Sequence, residues 1–188
     1  MPCGRVETRR GRLGRRPIAG KVMQLIAGLE FLGARPFQDS RGMFKKVAHN
    51  LPFHVEEVFW SCSEQGVIRG MHVQRPQRSC RKLIFVVDGE IRDVVVDLRA
   101  ESPTLGEVNI FPLRPADKSI VVPSGCAHGF EVVRGPCRVV YLQEERYVMA
   151  DDLGFRWDSH TIEWLTSEPV ISARDASLPS FSNLVARF

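Results

Sequence analysis

The sequence of 188 residues predicts an all-β fold, an antiparallel sandwich or barrel that forms a single domain. Three observations predict it. Short runs rich in β-branched and aromatic residues recur along the chain, turn signals containing Gly, Pro or Asp separate them about every 8–12 residues, and helical periodicity is almost absent. The chain is long enough for one substantial hydrophobic core and too short for two ordinary domains.

The order of the predicted strands is clearest in the middle of the chain. Residues 83–87 form the first well-marked run, which ends at Asp88-Gly89, a dipeptide typical of tight hairpin turns. A valine-rich run at 91–98 follows. Further strands are predicted at 107–113, 119–122, 129–133 and 138–143, and a short helix at 172–176.

The N-terminal residues 1–22 differ in composition from the rest. The net charge of the chain is +4, yet six arginines and one lysine lie within the first 21 residues beside a single acid. The remainder is therefore close to neutral, and its composition does not indicate a nucleic-acid partner. We expect this basic leader to lie outside the folded domain of residues 23–188. A disordered tail and a transit peptide are alternatives to the interpretation that we favour, a non-native extension ahead of a start at Met23.

The composition also indicates the cellular compartment. Hydrophobic residues make up 44% of the chain and charged residues 26%, and no apolar run approaches the roughly 18 residues of a membrane span. The leader lacks the apolar core of a secretory signal. Five scattered cysteines without a C-x-x-C pair favour reduced thiols over a disulfide framework or a zinc ribbon. We therefore expect a cytoplasmic protein that does not bind a membrane.

Two of the five histidines lie in segments shaped by glycine and proline. His128 ends a P-x-G-x-x-H stretch that resembles the second motif of metal-binding cupin barrels. The first cupin motif requires H-x-H and a following glutamate, whereas the stretch around His72 has one histidine and no nearby acid. Iron or manganese prefers a third and a fourth ligand. The sequence thus favours a site without metal, and a metal-dependent cupin enzyme, such as a dioxygenase or a sugar isomerase, is the alternative.

Asp93 lies within the valine-rich run and shares one face of the predicted strand with residues 91, 95 and 97. In a closed barrel this face can point into the interior, where an acid must find a partner or take part in chemistry. The strand pattern alone favours the alternative, an outward and solvated face, whereas the histidines favour the interior.

Histidines, carboxylates, a lysine and tyrosines inside a barrel suit proton abstraction beside a carbonyl group. A histidine titrates near neutral pH and can act as the base, and a buried carboxylate stabilises the imidazolium that forms. A lysine offsets the charge that develops on the enolate oxygen. A tyrosine that returns the proton from the opposite face inverts the carbon. Each residue alone is more often structural, and only the combination indicates an epimerase.

Seven segments carry specific motifs, and in their order and spacing they resemble one family, the dTDP-4-dehydrorhamnose 3,5-epimerases. The resemblance extends from Phe37 to about Asp175, most of the body of the chain. The segments are F-Q-D-S-R-G-M-F (37–44), S-C-S-E-Q-G-V-I-R-G-M-H (61–72), K-L-I-F-V-V-D-G-E-I-R-D-V-V-V-D-L-R (82–99), S-P-T-L-G (102–106), P-S-G-C-A-H-G-F (123–130), G-F-R-W-D (154–158) and I-S-A-R-D-A (171–176).

The resemblance implies a double-stranded β-helix, the jelly-roll fold of cupin-like barrels, with short peripheral helices. It implies an enzyme without metal or other cofactor, typically a homodimer. The implied reaction inverts C3, C5 or both of a nucleoside-diphosphate 4-keto-6-deoxyhexose, in the synthesis of surface polysaccharides or secondary metabolites. Carried over residue by residue, the resemblance makes His72 the base, oriented by Asp175, and Tyr141 the opposing acid, and it places Lys82 beside the C4 keto oxygen.

The resemblance also implies a set of supporting and substrate-binding residues. His128 and Asp93 form a second pair, and Arg69 contacts the sugar or the diphosphate. Tyr147 and Arg41 are implied contacts on the nucleotide side, with Arg41 reaching across the dimer. The remaining implied substrate-binding residues are Phe37, Glu57 and Ser61.

Three positions depart from the family. Glu57 stands where family members usually have glutamine, Phe59 where they have asparagine, and Lys46 where they have glutamate. These positions lie on the nucleotide and diphosphate side of the implied site, so the resemblance does not require the base to be thymine. A non-catalytic sugar-nucleotide binder is a further alternative, which the retention of a base together with an acid disfavours.

Overall fold

The computed structural model describes residues 24–33 and 35–186. The basic leader of residues 1–22 lies outside them, so its interpretation stays a prediction. The described residues form an all-β structure, as the sequence predicts. Its strands are β1 (Glu30–Leu32), β2 (Phe37–Asp39), β3 (Gly42–Phe44), β4 (Glu57–Ser63), β5 (Ile68–Gln74), β6 (Lys82–Asp97), β7 (Val108–Leu113), β8 (Ser119–Val122), β9 (Cys126–Gln143) and β10 (Asp152–Gly154).

Within residues 24–33 and 35–186, helical structure is limited to short elements at the periphery. The predicted helix at 172–176 is confirmed as α1 (Ala173–Ala176), and a second short helix, α2 (Phe181–Val185), follows it. Ser172 caps α1, because its hydroxyl oxygen accepts a hydrogen bond of 3.0 Å from the Asp175 amide. Two 3₁₀ turns complete the set, at Pro76–Arg78 and Met149–Asp151.

Strands β6 and β9 run side by side through the molecule, and each belongs to two layers. The first half of β6 pairs with β8 and its second half with β7, while the first half of β9 pairs with β5 and its second half with β4. One layer therefore has the order β1-β8-β6-β9-β4, and the other has the order β7-β6-β9-β5-β10. Two layers that share two long antiparallel strands form the predicted jelly roll.

The predicted hairpin at Asp88-Gly89 and the predicted break between residues 133 and 138 are both wrong. Strand β6 continues through the first and β9 through the second. Gly89 has a φ of +84°, and a Cβ atom there would lie 2.6 Å from Cβ of Cys137 on β9. Asp-Gly is common in hairpins because glycine readily adopts a positive φ. Here the positive φ of Gly89 occurs at an irregularity in the pairing of two long strands instead.

This irregularity changes which positions of β6 face the interior. Before it, Ile84 and Val86 belong to the main core, and after it Ile91 and Val95 do. Even-numbered positions face inward on one side of Gly89 and odd-numbered positions on the other. Asp93 accordingly faces the interior and is fully buried, so the outward alternative is wrong.

The C-terminal segment covers the outer face of the second layer. Phe155, Trp164 and Leu184 pack against the outward side chains of β6, such as Val94. The ring of His160 stacks on Phe181 with centroids 3.9 Å apart, and burial lowers the pKa of this histidine. Through these contacts the segment that carries α1 is held against the sheet.

Asp97, at the end of β6, organises the following loop. Its carboxylate accepts hydrogen bonds from Nε of Arg99 at 2.8 Å and from the hydroxyls of Ser102 and Thr104, each at 2.6 Å. Burial alone would raise the pKa of Asp97, but these hydrogen bonds outweigh it and hold the pKa well below its ordinary value.

Two further findings concern the helices and the cysteines. Within the described residues, no helix combines the length and the apolar character needed to cross a membrane. The four described cysteines, Cys62, Cys80, Cys126 and Cys137, are free thiols. Burial raises the pKa of Cys126 to about 12 and that of Cys137 to about 11, so neither is a reactive thiolate.

Candidate active site

A cavity of about 430 Å³ opens between the two layers. It is lined by side chains of β4, β5, β6, β9 and β10, of α1, and of the segment between β9 and β10. Eight of the twelve residues that the sequence analysis assigns to a site line it. They are Glu57, Ser61, Arg69, His72, Lys82, His128, Tyr141 and Tyr147.

His72 projects from β5 into the cavity, directly across from His128 on β9. Its strand must approach β9 closely, since a Cβ atom on Gly70 would lie 2.7 Å from Cα of Gly129. Nε2 of His72 lies 2.8 Å from Oδ1 of Asp175, whose other carboxylate oxygen accepts the amide of Gly70 at 3.2 Å. The remaining ring nitrogen, Nδ1, is the one that can take a proton from a substrate.

Asp175 is a buried carboxylate held in its ionised form. Burial by itself would raise its pKa, but the hydrogen bonds from His72 and the Gly70 amide, together with the charge of Arg174, lower it below the ordinary value. An ionised carboxylate 2.8 Å from Nε2 can accept its N–H and so fixes the orientation of the His72 ring. The pair therefore has the features of a general base and its orienting group.

Arg174 was not assigned to the site from the sequence. Its Nη1 lies 3.3 Å from Nε2 of His72, and its Nη2 donates to the carboxylate of Asp152 on β10. Both residues line the cavity. The signal available in the sequence was the position of Arg174 next to Asp175 in the I-S-A-R-D-A segment, whereas no pattern pointed to Asp152.

A second histidine–carboxylate pair is formed by His128 of β9, opposite His72, and Asp93 of β6. Nε2 of His128 is 2.7 Å from Oδ1 of Asp93, and both residues are buried. Oδ2 of Asp93 has no hydrogen-bond partner among the described residues. Each of the two histidines is thus bonded to a carboxylate from another strand or helix.

Tyr141 faces the same cavity from the other layer. Its ring stacks on Phe59 with centroids 4.7 Å apart and an angle of 13° between the planes, and its hydroxyl lies 3.4 Å from that of Ser61. Burial raises the pKa of Tyr141 well above its ordinary value. The phenol therefore stays protonated and can serve as a proton donor.

Lys82 begins β6 and reaches the cavity beside Tyr141. It pairs across the sheet with Gln143, which in turn pairs with Glu57, so the three lie in one row. Burial lowers the pKa of Lys82, and the nearby Cys80 and Asp152 oppose that shift. A desolvated ammonium of this kind interacts strongly with an oxyanion.

Polar residues at the cavity rim are fixed by their neighbours. Nε of Arg69 donates to the hydroxyl of Ser63 at 2.8 Å. Oε2 of Glu57 accepts the amide of Tyr147 and Nε2 of Gln143, each at 2.9 Å. Glu57 thus ties the segment carrying Tyr147 to β4.

Four of the assigned residues lie outside the cavity lining. Asp93 and Asp175 stand directly behind the two histidines. Phe37 and Arg41 lie on the separate β2–β3 hairpin, where Arg41 pairs with Asp39 and is exposed. The hypothesis that Arg41 reaches a neighbouring subunit is a statement about an assembly and stays a prediction.

The described part of the chain holds no group of three or more His, Cys, Asp or Glu side chains arranged to bind a metal ion. What the cavity brings together is a base with its carboxylate, a buried phenol on the opposite layer, and a cluster of cationic side chains. Such a set can remove a proton from one face of a carbon and return one to the other.

Comparisons with known proteins agree with this geometry. A statistical model of the dTDP-4-dehydrorhamnose 3,5-epimerase family matches residues 24–183. The dTDP-4-dehydrorhamnose 3,5-epimerase of Salmonella typhimurium is 32% identical over 172 residues, which is 84% of this chain and 93% of that protein.

Solved structures give the same result. The dTDP-4-dehydrorhamnose 3,5-epimerase of Bacillus anthracis, with TDP and PPi bound, has a TM-score of 0.78 and 31% identity, covering 82% of this chain and 94% of its own. NovW, a 4-keto-6-deoxy sugar epimerase from the novobiocin biosynthetic gene cluster of Streptomyces spheroides, has a TM-score of 0.80 and 26% identity, covering 92% of this chain and 89% of its own.

Proposed function

Because the chain belongs to the dTDP-4-dehydrorhamnose 3,5-epimerase family and is a sugar-nucleotide epimerase, we propose a role for each functional group of its cavity. The enzyme inverts C3, C5 or both of a nucleoside-diphosphate 4-keto-6-deoxyhexose. One observation carries the assignment of roles: His72 and Tyr141 are held by different layers and face one cavity.

His72 is the base. The C4 ketone acidifies the hydrogens on C3 and C5, and Nδ1 of His72 takes one of them as a proton. Asp175 then stabilises the imidazolium through the hydrogen bond to Nε2. The electron pair left on carbon moves to the ketone oxygen, which becomes an enolate.

Lys82 stabilises the enolate. Its buried ammonium donates a hydrogen bond to the oxyanion in a site of low dielectric, where such an interaction is worth more than in water. Tyr141 then gives its hydroxyl proton to the carbon from the opposite face, which inverts the centre, and the ketone re-forms. His128, bonded to Asp93, supports the polar network between these groups.

The cationic residues Arg69 and Arg174 bind the diphosphate. Both line the cavity, and guanidinium groups suit phosphate oxygens because they donate two parallel hydrogen bonds. Tyr147 contributes on the nucleotide side, at the segment that Glu57 holds. The solved relative from Bacillus anthracis binds TDP and PPi, which supports a nucleotide in this cavity.

We further propose that the enzyme acts as a homodimer. Large apolar side chains stand exposed on the β2–β3 hairpin and on β4: Phe37 is 60% exposed, Phe44 62% and Trp60 65%. Strand β4 has a paired neighbour on one side, β9, among the described residues. Analytical ultracentrifugation of the wild type and of Trp60→Ser would test this proposal, which predicts a dimer that the substitution weakens.

The central experiment is proton NMR in deuterium oxide with 4-keto-6-deoxyglucose nucleotides carrying thymidine, uridine, cytidine or guanosine. We expect deuterium at C3, C5 or both with one or more of the four. His72→Ala should abolish the exchange, and Tyr141→Phe should keep the exchange but lose inversion. His54→Ala, at an exposed histidine, is the matched control. Undiminished exchange in His72→Ala would refute the assignment of the base.

A further inference from the structure

Gln74 is a buried residue of the cavity that the mechanism above does not use. It lies at the end of β5, its side chain lines the cavity, and the residue is 6% exposed. Among residues 24–33 and 35–186, no hydrogen-bond partner is found for its Oε1 atom. A buried amide oxygen without a partner is unfavourable, and such groups are rare in native proteins.

The strand geometry places the side chain of Gln74 near the residues of the proposed reaction. Side chains two residues apart on a β-strand share a face, so Gln74 stands beside His72. Across the ladder, Gln74 is opposite Asp152 of β10, which lines the same cavity and hydrogen-bonds Arg174. The amide is therefore flanked by the base on its own strand and by Asp152 on β10, which in turn holds Arg174 of α1.

An acceptor at this place selects for a particular group of the ligand. The diphosphate and the C4 ketone offer acceptors only, so neither can bond to Oε1. The donors of a nucleoside-diphosphate 4-keto-6-deoxyhexose are its hydroxyl groups and those of its nucleoside. Because Gln74 adjoins the residue that takes a proton from the hexose, the donor nearest to it belongs to the hexose ring.

On the premise of the proposed function, we infer that Gln74 is a specificity-determining residue that accepts a hydrogen bond from a ring hydroxyl of the hexose, at C2 or C3. Binding of the sugar gives the buried oxygen its missing partner. An analogue that lacks this hydroxyl leaves the oxygen buried and unpaired, which is how an enzyme rejects a deoxygenated substrate strongly. Gln74 thus makes the site selective for a hydroxylated sugar.

The test pairs one substitution with two analogues. Gln74→Met removes the amide and keeps the length of the side chain. Wild type and variant are compared by kcat/KM on the parent substrate and on its 2-deoxy and 3-deoxy analogues, with deuterium exchange as the readout common to all three. We expect wild type to lose about 10- to 100-fold on one analogue, the variant to lose a similar factor on the parent, and the variant to lose nothing more on that analogue.

Two results would overturn the inference. In the first, the variant discriminates against both analogues as the wild type does. In the second, the variant has the same kcat/KM as the wild type on the parent substrate. Gln65→Met, at an exposed glutamine, is the matched control. If Gln74→Met does not fold, Gln74→Glu decides, because its carboxylate keeps the acceptor. Discrimination retained in Gln74→Glu supports the inference, and discrimination lost refutes it. Absence of exchange in the wild type with every nucleotide sugar would instead refute the proposed function.

Discussion

Replacement of Asp175 by asparagine gives a sharp test of the base. The substitution keeps the size of the side chain and leaves an oxygen that can accept the Gly70 amide, which lies 3.2 Å from the carboxylate. The NH₂ group then faces Nε2 of His72. Since that group can only donate, it forces Nε2 to be the acceptor and puts the ring proton on Nδ1. The nitrogen that takes the substrate proton becomes a donor.

The magnitude follows from the lost ionic hydrogen bond. His72 and Asp175 are 2.8 Å apart, and a hydrogen bond to a charged group is worth about 1.5–3 kcal/mol. At 1.36 kcal/mol for each factor of ten, this corresponds to a loss of roughly 10- to 150-fold in kcat. The unfavourable tautomer adds to that loss, so about tenfold is the lower bound.

The assay is solvent deuterium exchange under saturating substrate, because exchange reports proton removal without requiring inversion. Asp158→Asn serves as the matched control, since Asp158 pairs with Arg156 at the surface of the same C-terminal segment. We expect the control to equal wild type. An Asp175→Asn variant that exchanges within threefold of wild type would contradict the role of Asp175.

Three further predictions concern charge and stability. Burial lowers the pKa of Lys82, so its ammonium is lost as pH rises through that lowered value. The decline of kcat at alkaline pH should therefore begin below the ordinary lysine pKa of about 10.4. Lys82→Arg should remove this alkaline decline from the pH–rate profile. Asp97→Ala removes the acceptor of five hydrogen bonds, three from Arg99 and one each from Ser102 and Thr104. At about 1 kcal/mol each, urea unfolding should show a destabilisation of about 5 kcal/mol. Burial lowers the pKa of His160, so folding favours the neutral ring and the stability of the protein falls as pH drops below about 6.5. His160→Phe preserves a ring against Phe181 and should reduce the difference in melting temperature between pH 7.5 and pH 5.

Much of the fold follows from strand periodicity. The runs that begin at residues 83 and 91 have the β-branched composition of strands, and both lie in β6. The prediction of a hairpin at Asp88-Gly89 was wrong for a physical reason. The dipeptide indicates a positive φ, and both a turn and a bulge require one. Which of them forms depends on the partner strand, here β9 with Cys137 close to Gly89, and that contact joins residues 48 positions apart.

The residues of the site likewise fall into those that the sequence could identify and those that depend on contacts distant in the sequence. His72 could be assigned because it ends a segment that matches a family, and Tyr141 because its spacing from His128 is the same as in that family. Gln74 had a usable signal in its spacing of two from His72. Asp152 and Arg174 come from the chain after β9, where no period marks a side chain that points inward. The contacts of Arg174 with His72 and with Asp152 exist only because the C-terminal segment docks on the sheet.

The irregularity at Gly89 offsets the alternation of inward and outward side chains along β6 by one position. In a regular strand, loss of one residue exchanges the inner and outer side chains on one side of the deletion. In β6 the inward positions change from even to odd numbers at Gly89, which lies between the end that carries Lys82 and the end that carries Asp93. A one-residue deletion at the irregularity would bring the inward positions of the two halves into one regular alternation, so Lys82 and Asp93 would both still face the interior. This glycine therefore marks a place where β6 can lose a residue without turning either half of the site outward.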